Sequence, residues 1–215
     1  MRVYHYDKVC WALQNIRQGR LKLSTFDNMN DPYEWQCVSS NHEASQRRLD
    51  VAFEGAANAS GLLCFSRSWN NILMWSLYAD RHAGVCLGFD VPDELANSVV
   101  YLGSLRVIGN LEELSTLEVR RVHDQQYHFK YVAWAYEEEV RVHGRPDIVE
   151  GKNQFAKFGE HLRLKEVIAG PRFVGGKAPI ENALRDYSEP VSIVKATQSS
   201  ERFEIIVDQR EFDLA

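Results

Sequence analysis

Apolar residues near the start of the chain recur at the spacing of an amphipathic helix. Val9, Ala12, Leu13 and Ile16 fall at positions i, i+3, i+4 and i+7, and Gly19 follows where a helix commonly ends. The same comparison of apolar and polar positions predicts further elements over the first ninety residues. It predicts strands over 2–6, 21–24, 62–66 and 84–89, and helices over 42–57 and 70–80.

The second half of the chain shows the same helical spacing and strand alternation of apolar residues. Pattern and turn residues predict strands over 99–108, 162–169, 191–196 and 203–207, a helix that begins at Asn110, and helices over 151–161 and 179–187. Neither an internal repeat nor a long linker separates these elements. Since helices and strands are interspersed, we predict one α+β domain over residues 1–215.

Polar side chains dominate a predicted strand between Tyr136 and Gly144. This strand begins in the apolar run 131–135, and alternation then places Glu137, Glu139 and Arg141 on one side of it. Such a polar face is typical of an exposed edge strand or of the floor of a site. We favour the site, because polar residues on internal strands commonly serve binding or catalysis.

Composition and charge limit the class of protein. The chain is 45% hydrophobic and has a formal net charge of −5. That charge argues against a nucleic-acid binder that neutralises phosphates over a broad surface, although a local basic groove is compatible with it. The four cysteines form no Cys-x-x-Cys pair, and the N-terminus has no signal-peptide pattern, so we expect a cytoplasmic protein. No apolar run approaches the roughly 20 residues of a membrane span, and we expect no membrane contact.

Several common catalytic motifs are absent from the sequence. No His or Cys spacing fits a metal site, and neither a dinucleotide-binding glycine motif nor a P-loop is present. Ser66 lacks the glycine elbow of an α/β-hydrolase nucleophile. The remaining candidates are His5, Ser66, Trp75, Tyr78 and the glutamate pair. For His5, Trp75 and Tyr78, the residues alone favour an ordinary place in the core.

The turn-rich segment around Asn30 has two interpretations. Asn30, Asp31 and Pro32 are common turn builders, and the proline favours an extended Asp31. Alternatively, this loop clamps a ligand with Asn30, Tyr33 and Glu34, since binding residues concentrate on loops.

A set of motifs in this order resembles a known family. The motifs are YHYDKV, MNDPYEW, LLCFSRSW, MWSLYADRHAG, WAYEEEVRVHG and LKEVIAGPR. They are similar to the bacterial family DUF2971, and their layout resembles a divergent ADP-ribosyltransferase fold. This resemblance implies a split β-sheet core with flanking helices.

The resemblance also implies an activity. It implies an NAD-dependent ADP-ribosyltransferase that uses NAD as substrate and modifies a protein or nucleic-acid acceptor, plausibly as a toxin or phage-defence effector with an antitoxin or regulatory partner. The implied catalytic residues are His5, Tyr78, Glu137 and Glu139. The implied NAD-binding residues are Tyr6, Asn30, Asp31, Ser66, Trp75 and Arg141.

Two other functions fit the same residues. One is a catalytically silent module of the same fold that binds a nucleotide or a protein, because a fold does not imply an activity. The other is a hydrolase or nuclease that depends on the same carboxylates.

Overall fold

A computed structural model describes residues 1–25, 29, 31, 33–34, 36–57, 61–210 and 212. Its α-helices are α1 (Val9–Gln18), α2 (Glu43–Ala57), α3 (Ile72–Tyr78), α4 (Thr116–Gln126) and α5 (Ala178–Leu184). Its strands are β1 (Arg2–Asp7), β2 (Arg20–Lys22), β3 (Val38–Ser40), β4 (Gly61–Ser66), β5 (Val85–Asp90), β6 (Asn97–Ser98), β7 (Val100–Leu102), β8 (Arg106–Ile108), β9 (Phe129–Tyr131), β10 (Glu139–Gly144), β11 (Ile148–Glu150), β12 (Asn153–Lys157), β13 (Arg163–Ala169), β14 (Ser192–Gln198) and β15 (Ile205–Val207).

Eight of the described strands form one large mixed sheet in the order β15-β14-β13-β5-β1-β4-β10-β6. β13 and β14 are parallel, and the other neighbouring strands of this sheet are antiparallel. Smaller sheets are formed by β11-β12-β2, by β3 with β8 and by β7 with β9. The α+β class predicted from the sequence is confirmed.

Helices cover both faces of the large sheet. On one face, apolar residues of α1 and α5 pack with alternate strand residues such as Val3 and Leu87. On the other face, Trp75 of α3 packs with Tyr6 and Cys86. Because successive strand residues point to opposite faces, β1, β4 and β5 contribute to the apolar core on both sides.

Three predicted elements differ from the observed ones. The helix predicted over 151–161 is wrong: Gly151, with φ of 60°, turns the chain between β11 and β12, and Phe155 is buried as one residue of an alternating strand. The single strand predicted over 99–108 is two short strands, β7 and β8. Only a single 3-10 turn, Leu111–Glu113, follows Asn110. The helix α4 begins later, after Ser115, which forms a capping box with Glu118.

The polar strand at Tyr136 is also shorter than predicted. Residues 132–137 form a 3-10 helix, and Glu138 adopts a left-handed conformation with φ of 46°. β10 therefore begins at Glu139, and Glu137 lies outside the strand. The prediction that both glutamates are consecutive same-face residues of one strand is wrong, because the left-handed residue between them breaks the alternation.

Within the described part of the chain, no helix combines the length and the apolar character that crossing a membrane requires.

Candidate functional site

A cavity of about 260 Å³ lies on the α3 side of the large sheet, above its central strands. Tyr4 of β1 pairs with Ser66 of β4, and Ser66 pairs with Glu139 of β10. Residues paired across antiparallel strands project to the same face. These three side chains therefore form the floor of the cavity.

The four residues predicted to be catalytic all line this cavity. His5 comes from β1, Tyr78 from the end of α3, Glu137 from the end of the 3-10 helix and Glu139 from the start of β10. The Tyr78 hydroxyl donates a hydrogen bond of 2.5 Å to Glu137 Oε1. His5 Nδ1 lies 3.2 Å from the carbonyl oxygen of Cys64. Segments that are far apart in the sequence thus meet at one cavity.

Lys130 joins the two glutamates and was not predicted from the sequence. Its Nζ donates to Glu137 Oε2 at 2.5 Å and to Glu139 Oε2 at 2.9 Å, and it lies 3.4 Å from Glu34 Oε2. Burial alone would lower the pKa of Lys130, but the charges of the two glutamates outweigh it and raise that pKa. A single lysine within the aromatic run 127–136 was the available signal, since a buried lysine requires a partner.

The surroundings of Arg141 favour a structural role over the predicted binding of NAD. Its side chain is fully buried and does not line the cavity. It donates to both oxygens of Glu139, at 2.8 and 3.0 Å, to Glu34, and to the carbonyl oxygen of Tyr127 at 2.8 Å. Burial lowers the pKa of Arg141 to about 10, which leaves it charged at neutral pH. Arg141 therefore positions the carboxylates of Glu139 and Glu34.

The turn after β2 brings a third carboxylate to the same place. Asp31 builds the turn, because its Oδ1 accepts from the backbone N–H of Tyr33 at 2.9 Å and its carbonyl accepts from that of Glu34 at 3.0 Å. Asp31 does not line the cavity, whereas the buried Glu34 does. Asp31 thus has a structural role in the turn, and its NAD-binding role stays a prediction. Asn30 lies outside the described residues.

We call Glu34, Glu137, Glu139, Lys130 and Arg141 the buried charge cluster. When all five are ionised, three carboxylates face two cations, and one negative charge remains uncompensated. Such a cluster attracts a positively charged group that enters the cavity.

Glu137 and Glu139 are not equivalent, although both line the cavity. Glu139 accepts three hydrogen bonds from Lys130 and Arg141, and burial is the main reason that its pKa is raised. Glu137 accepts one hydrogen bond on each oxygen, from Tyr78 and from Lys130. Because a carboxylate offers about four acceptor positions, Glu137 keeps more capacity for a ligand hydroxyl.

Of the remaining predicted NAD-binding residues, Tyr6 and Ser66 line the cavity and Trp75 does not. The Tyr6 hydroxyl donates to the carbonyl of Ser68 at 2.9 Å, and Ser66 Oγ accepts from the backbone N–H of Ser68 at 3.1 Å. Trp75 is fully buried, and its Nε1 donates to the carbonyl of Trp69 at 2.6 Å. Trp75 belongs to the apolar core, which favours the core interpretation of this residue over NAD binding.

Comparison with known proteins adds one finding. Neither a curated protein nor a solved structure matches the chain. A family model described as "Protein of unknown function (DUF2971)" matches residues 74–142, a segment that contains Tyr78, Lys130, Glu137, Glu139 and Arg141. Over residues 74–142 the chain is therefore similar to the DUF2971 family, which its motifs also indicated.

Proposed function

We propose that this protein is an ADP-ribosyltransferase that takes NAD as substrate and modifies a macromolecular acceptor. The observation that carries the proposal is the meeting of His5, Tyr78, Glu137 and Glu139 in one cavity, with Tyr78 hydrogen-bonded to Glu137. The resemblance to the ADP-ribosyltransferase fold named the same four residues. We extend the proposal to that fold, with the large sheet and its flanking helices as the counterpart of the split β-sheet core.

The chemistry of the transfer matches the charge of the cavity. The bond between the ribose carbon and the nicotinamide nitrogen breaks, and its electron pair leaves with nicotinamide. The ribose gains oxocarbenium character, as in glycoside cleavage. A nucleophilic atom of the acceptor then bonds to the ribose carbon and gives up its proton to water. The uncompensated negative charge of the buried charge cluster stabilises the developing positive charge.

The residues divide these tasks according to their contacts. Glu137 accepts a hydrogen bond from a ribose hydroxyl, because it has more unused hydrogen-bonding capacity than Glu139. Glu139, held by Lys130 and Arg141, provides fixed negative charge behind it. Tyr78 supplies an aromatic face for nicotinamide, and His5 holds the sugar at the cavity wall. Lys130 and Arg141 keep the carboxylates in place before the substrate arrives, which reduces the reorganisation needed during the reaction.

A labelled-NAD assay tests this proposal. The protein is incubated with NAD labelled in the adenylate part and with cell lysate, and protein and nucleic-acid fractions are counted separately. We expect label in one fraction, and a loss of about 10²- to 10³-fold with Glu137→Gln. Glu160→Gln, which changes an exposed carboxylate in the turn before β13, is the matched control and should leave transfer unchanged.

One observation favours a second candidate, the catalytically silent nucleotide-binding module. Both oxygens of Glu139 and both oxygens of Glu137 already accept hydrogen bonds inside the protein. If the protein is a silent binding module, calorimetry should detect NAD binding, but no label should be transferred and no nicotinamide released. Release of nicotinamide without transfer to either fraction would instead identify a hydrolase. The role as a toxin or defence effector, and any antitoxin partner, rest on the family resemblance alone and stay predictions.

A further inference from the structure

A second and larger cavity adjoins the first. It has a volume of about 620 Å³, within the range of about 300 to 1,000 Å³ that is usual for ligand pockets. His5, Tyr6, Ser24 and Tyr78 line both cavities. A ligand in the second cavity therefore lies directly beside the group that reacts in the first.

An exposed tryptophan lines the second cavity. Trp11 lies on the first turns of α1, and 56% of its surface is exposed. Large aromatic side chains are normally well buried, so an exposed ring at a cavity wall is a feature that points to a ligand. A flat indole face suits stacking with a nucleobase, which is typically worth enough to change affinity about fivefold or more.

The charges around this cavity favour an anion, in contrast to those of the first cavity. Lys8, Arg20 and Lys22 line it together with two carboxylates, Asp7 and Glu150, so the cations exceed the anions by one. Lys8 and Lys22 are exposed, and neither forms an ion pair with any residue that the structure describes. Lysine side chains of this kind are common ligands of phosphate.

Arg20 forms a rigid wall of the same cavity. It donates to both oxygens of Glu150, at 2.5 and 2.9 Å, and its guanidinium lies 3.7 Å from the centre of the Phe155 ring. The side chain is about 95% buried, yet its Nε has no hydrogen-bond partner among the described residues. Because its contacts with Glu150 and Phe155 fix the guanidinium, Arg20 adds a positive charge of fixed position to the cavity wall.

We propose that the second cavity binds the base and phosphate of a nucleotide, with the base stacked on Trp11 and the phosphate near Lys8 and Lys22. The nucleotide site itself does not depend on the proposed function. Only the source of the bound nucleotide rests on that function. One source is the adenosine diphosphate half of NAD, whose nicotinamide ribose would enter the first cavity. The other source is a nucleotide of a single-stranded nucleic-acid acceptor. The charge of −5 on the whole chain is compatible with either, because the positive groups are local.

Direct binding tests the site without requiring activity. ADP is titrated by calorimetry, and a fluorescein-labelled single-stranded DNA oligonucleotide by anisotropy, each against the wild type in the absence of NAD. Binding of ADP alone assigns the cavity to the dinucleotide, and binding of the oligonucleotide assigns it to the acceptor. We expect Trp11→Ala to weaken the observed binding about fivefold or more and Trp11→Phe to retain most of it. Phe203→Ala removes an exposed aromatic residue outside both cavities and should have no effect.

Two further variants distinguish failure of the nucleotide site from failure of the proposed enzymatic function. Lys22→Gln should weaken binding and, for the oligonucleotide, reduce the slope of log affinity against log salt by about 0.7. Glu137→Gln should keep the binding of ADP or oligonucleotide even though it lowers transfer about 10²- to 10³-fold. Absence of binding by both probes, or unchanged binding by Trp11→Ala, overturns the nucleotide site. Normal binding without any transfer by the wild type overturns the enzymatic proposal and leaves the nucleotide site intact.

Discussion

Lys130 places a positive charge between two glutamates that would otherwise repel each other. Its Nζ contacts both carboxylates, and all three side chains are almost fully buried. Removing one partner from a buried ionic network is costly because the remaining charges stay desolvated. The contribution of Lys130 is therefore positional as well as energetic: it holds the carboxylates at the cavity.

We predict that Lys130→Met destabilises the protein by about 3 to 5 kcal/mol at pH 7. Burial already raises the folded-state pKa of Glu139, and without the ammonium group that lowers it this pKa rises further. A carboxyl with a raised folded-state pKa favours folding at low pH and loses that contribution as pH rises through the raised pKa. The loss should thus be smaller at pH 5 than at pH 7 in urea unfolding.

The matched control for this prediction is Lys152→Met, which changes an exposed lysine in the turn between β11 and β12. It should cost less than about 0.5 kcal/mol at both pH values. An equal loss for Lys130→Met at pH 5 and pH 7 would show that the carboxylates do not take up protons, contrary to this account.

Tyr78 and Trp75 lie one turn apart on α3 but should respond differently to truncation. Tyr78 lines the cavities, whereas Trp75 is enclosed by the core. We predict that Trp75→Ala costs about 3 to 5 kcal/mol of folding stability. Tyr78→Ala should chiefly weaken NAD binding, and Tyr78→Phe should retain most of it because the ring remains. Calorimetry of NAD binding, together with thermal unfolding, separates the two effects. An equal loss of folding stability in both alanine variants would mean that Tyr78 acts as a core residue.

At the scale of single elements, the sequence predicted what depends on neighbouring residues. α1 follows from its apolar spacing and from Gly19, which adopts φ of 58° at the end of the helix. β4 and β5 follow from short apolar runs, since both of their faces are buried. These signals lie within each segment, so no knowledge of the fold was needed to interpret them.

The contacts that build the site were less predictable because they join distant segments. Glu34 reaches Arg141 across 107 residues, and no local pattern indicates that pairing. Lys130 faces Glu137 and Glu139 because a 3-10 helix folds the chain back between them. The sequence thus indicated Glu137 and Glu139 as candidates, whereas the cations that hold them became evident only from the fold.

The turn between α3 and β5 is a further element whose geometry is demanding. Asp80, Arg81 and His82 all have positive φ, between 46° and 73°. Gly84 follows, and a Cβ at this position would lie 2.7 Å from the carbonyl carbon of Ala79 and would also clash with the carbonyl oxygen of Asp7. The turn can close over the end of α3 because residue 84 has no side chain.

We predict that Gly84→Ala destabilises the protein by more than about 2 kcal/mol, because backbone atoms on two sides must move. Gly103→Ala is the control, since a Cβ there meets no atom within 4 Å. It should change stability by less than about 0.5 kcal/mol in chemical unfolding. A similar small effect at both glycines would mean that the α3 turn is free to adjust.

At the scale of the whole molecule, apolar packing and charge are separated in space. One apolar cluster fills the α1 and α5 side of the large sheet, and two others lie around α3 and around α2 and α4. The buried charge cluster draws its members from the turn after β2, from β9, from the 3-10 helix and from β10. It links elements that belong to different apolar clusters, and we expect its integrity to be needed for cooperative unfolding.

Acid stability of the whole molecule should depend on His143 of β10. Its Nε2 is buried without a hydrogen-bond partner among the described residues, and its ring lies 5.2 Å from that of His128. The pKa of His143 is lowered to about 4, mainly by burial and to a smaller extent by the charges of His128 and Arg141. As pH falls from 6.5 towards 4, the unfolded chain takes up this proton more readily than the folded protein, so stability decreases.

We predict that His143 removes about 1 to 2 kcal/mol of folding stability between pH 6.5 and pH 4, because its pKa is lowered but solvent screens a ring that is only partly buried. His143→Phe keeps a ring of similar shape but cannot be protonated, so its urea unfolding curves should shift less over this range than those of the wild type. His161→Phe changes an exposed histidine and should retain the full pH dependence of the wild type. If His143→Phe loses as much stability as the wild type on acidification, the acid-sensitive group lies elsewhere, and burial of a neutral imidazole on β10 does not limit the stability of the protein.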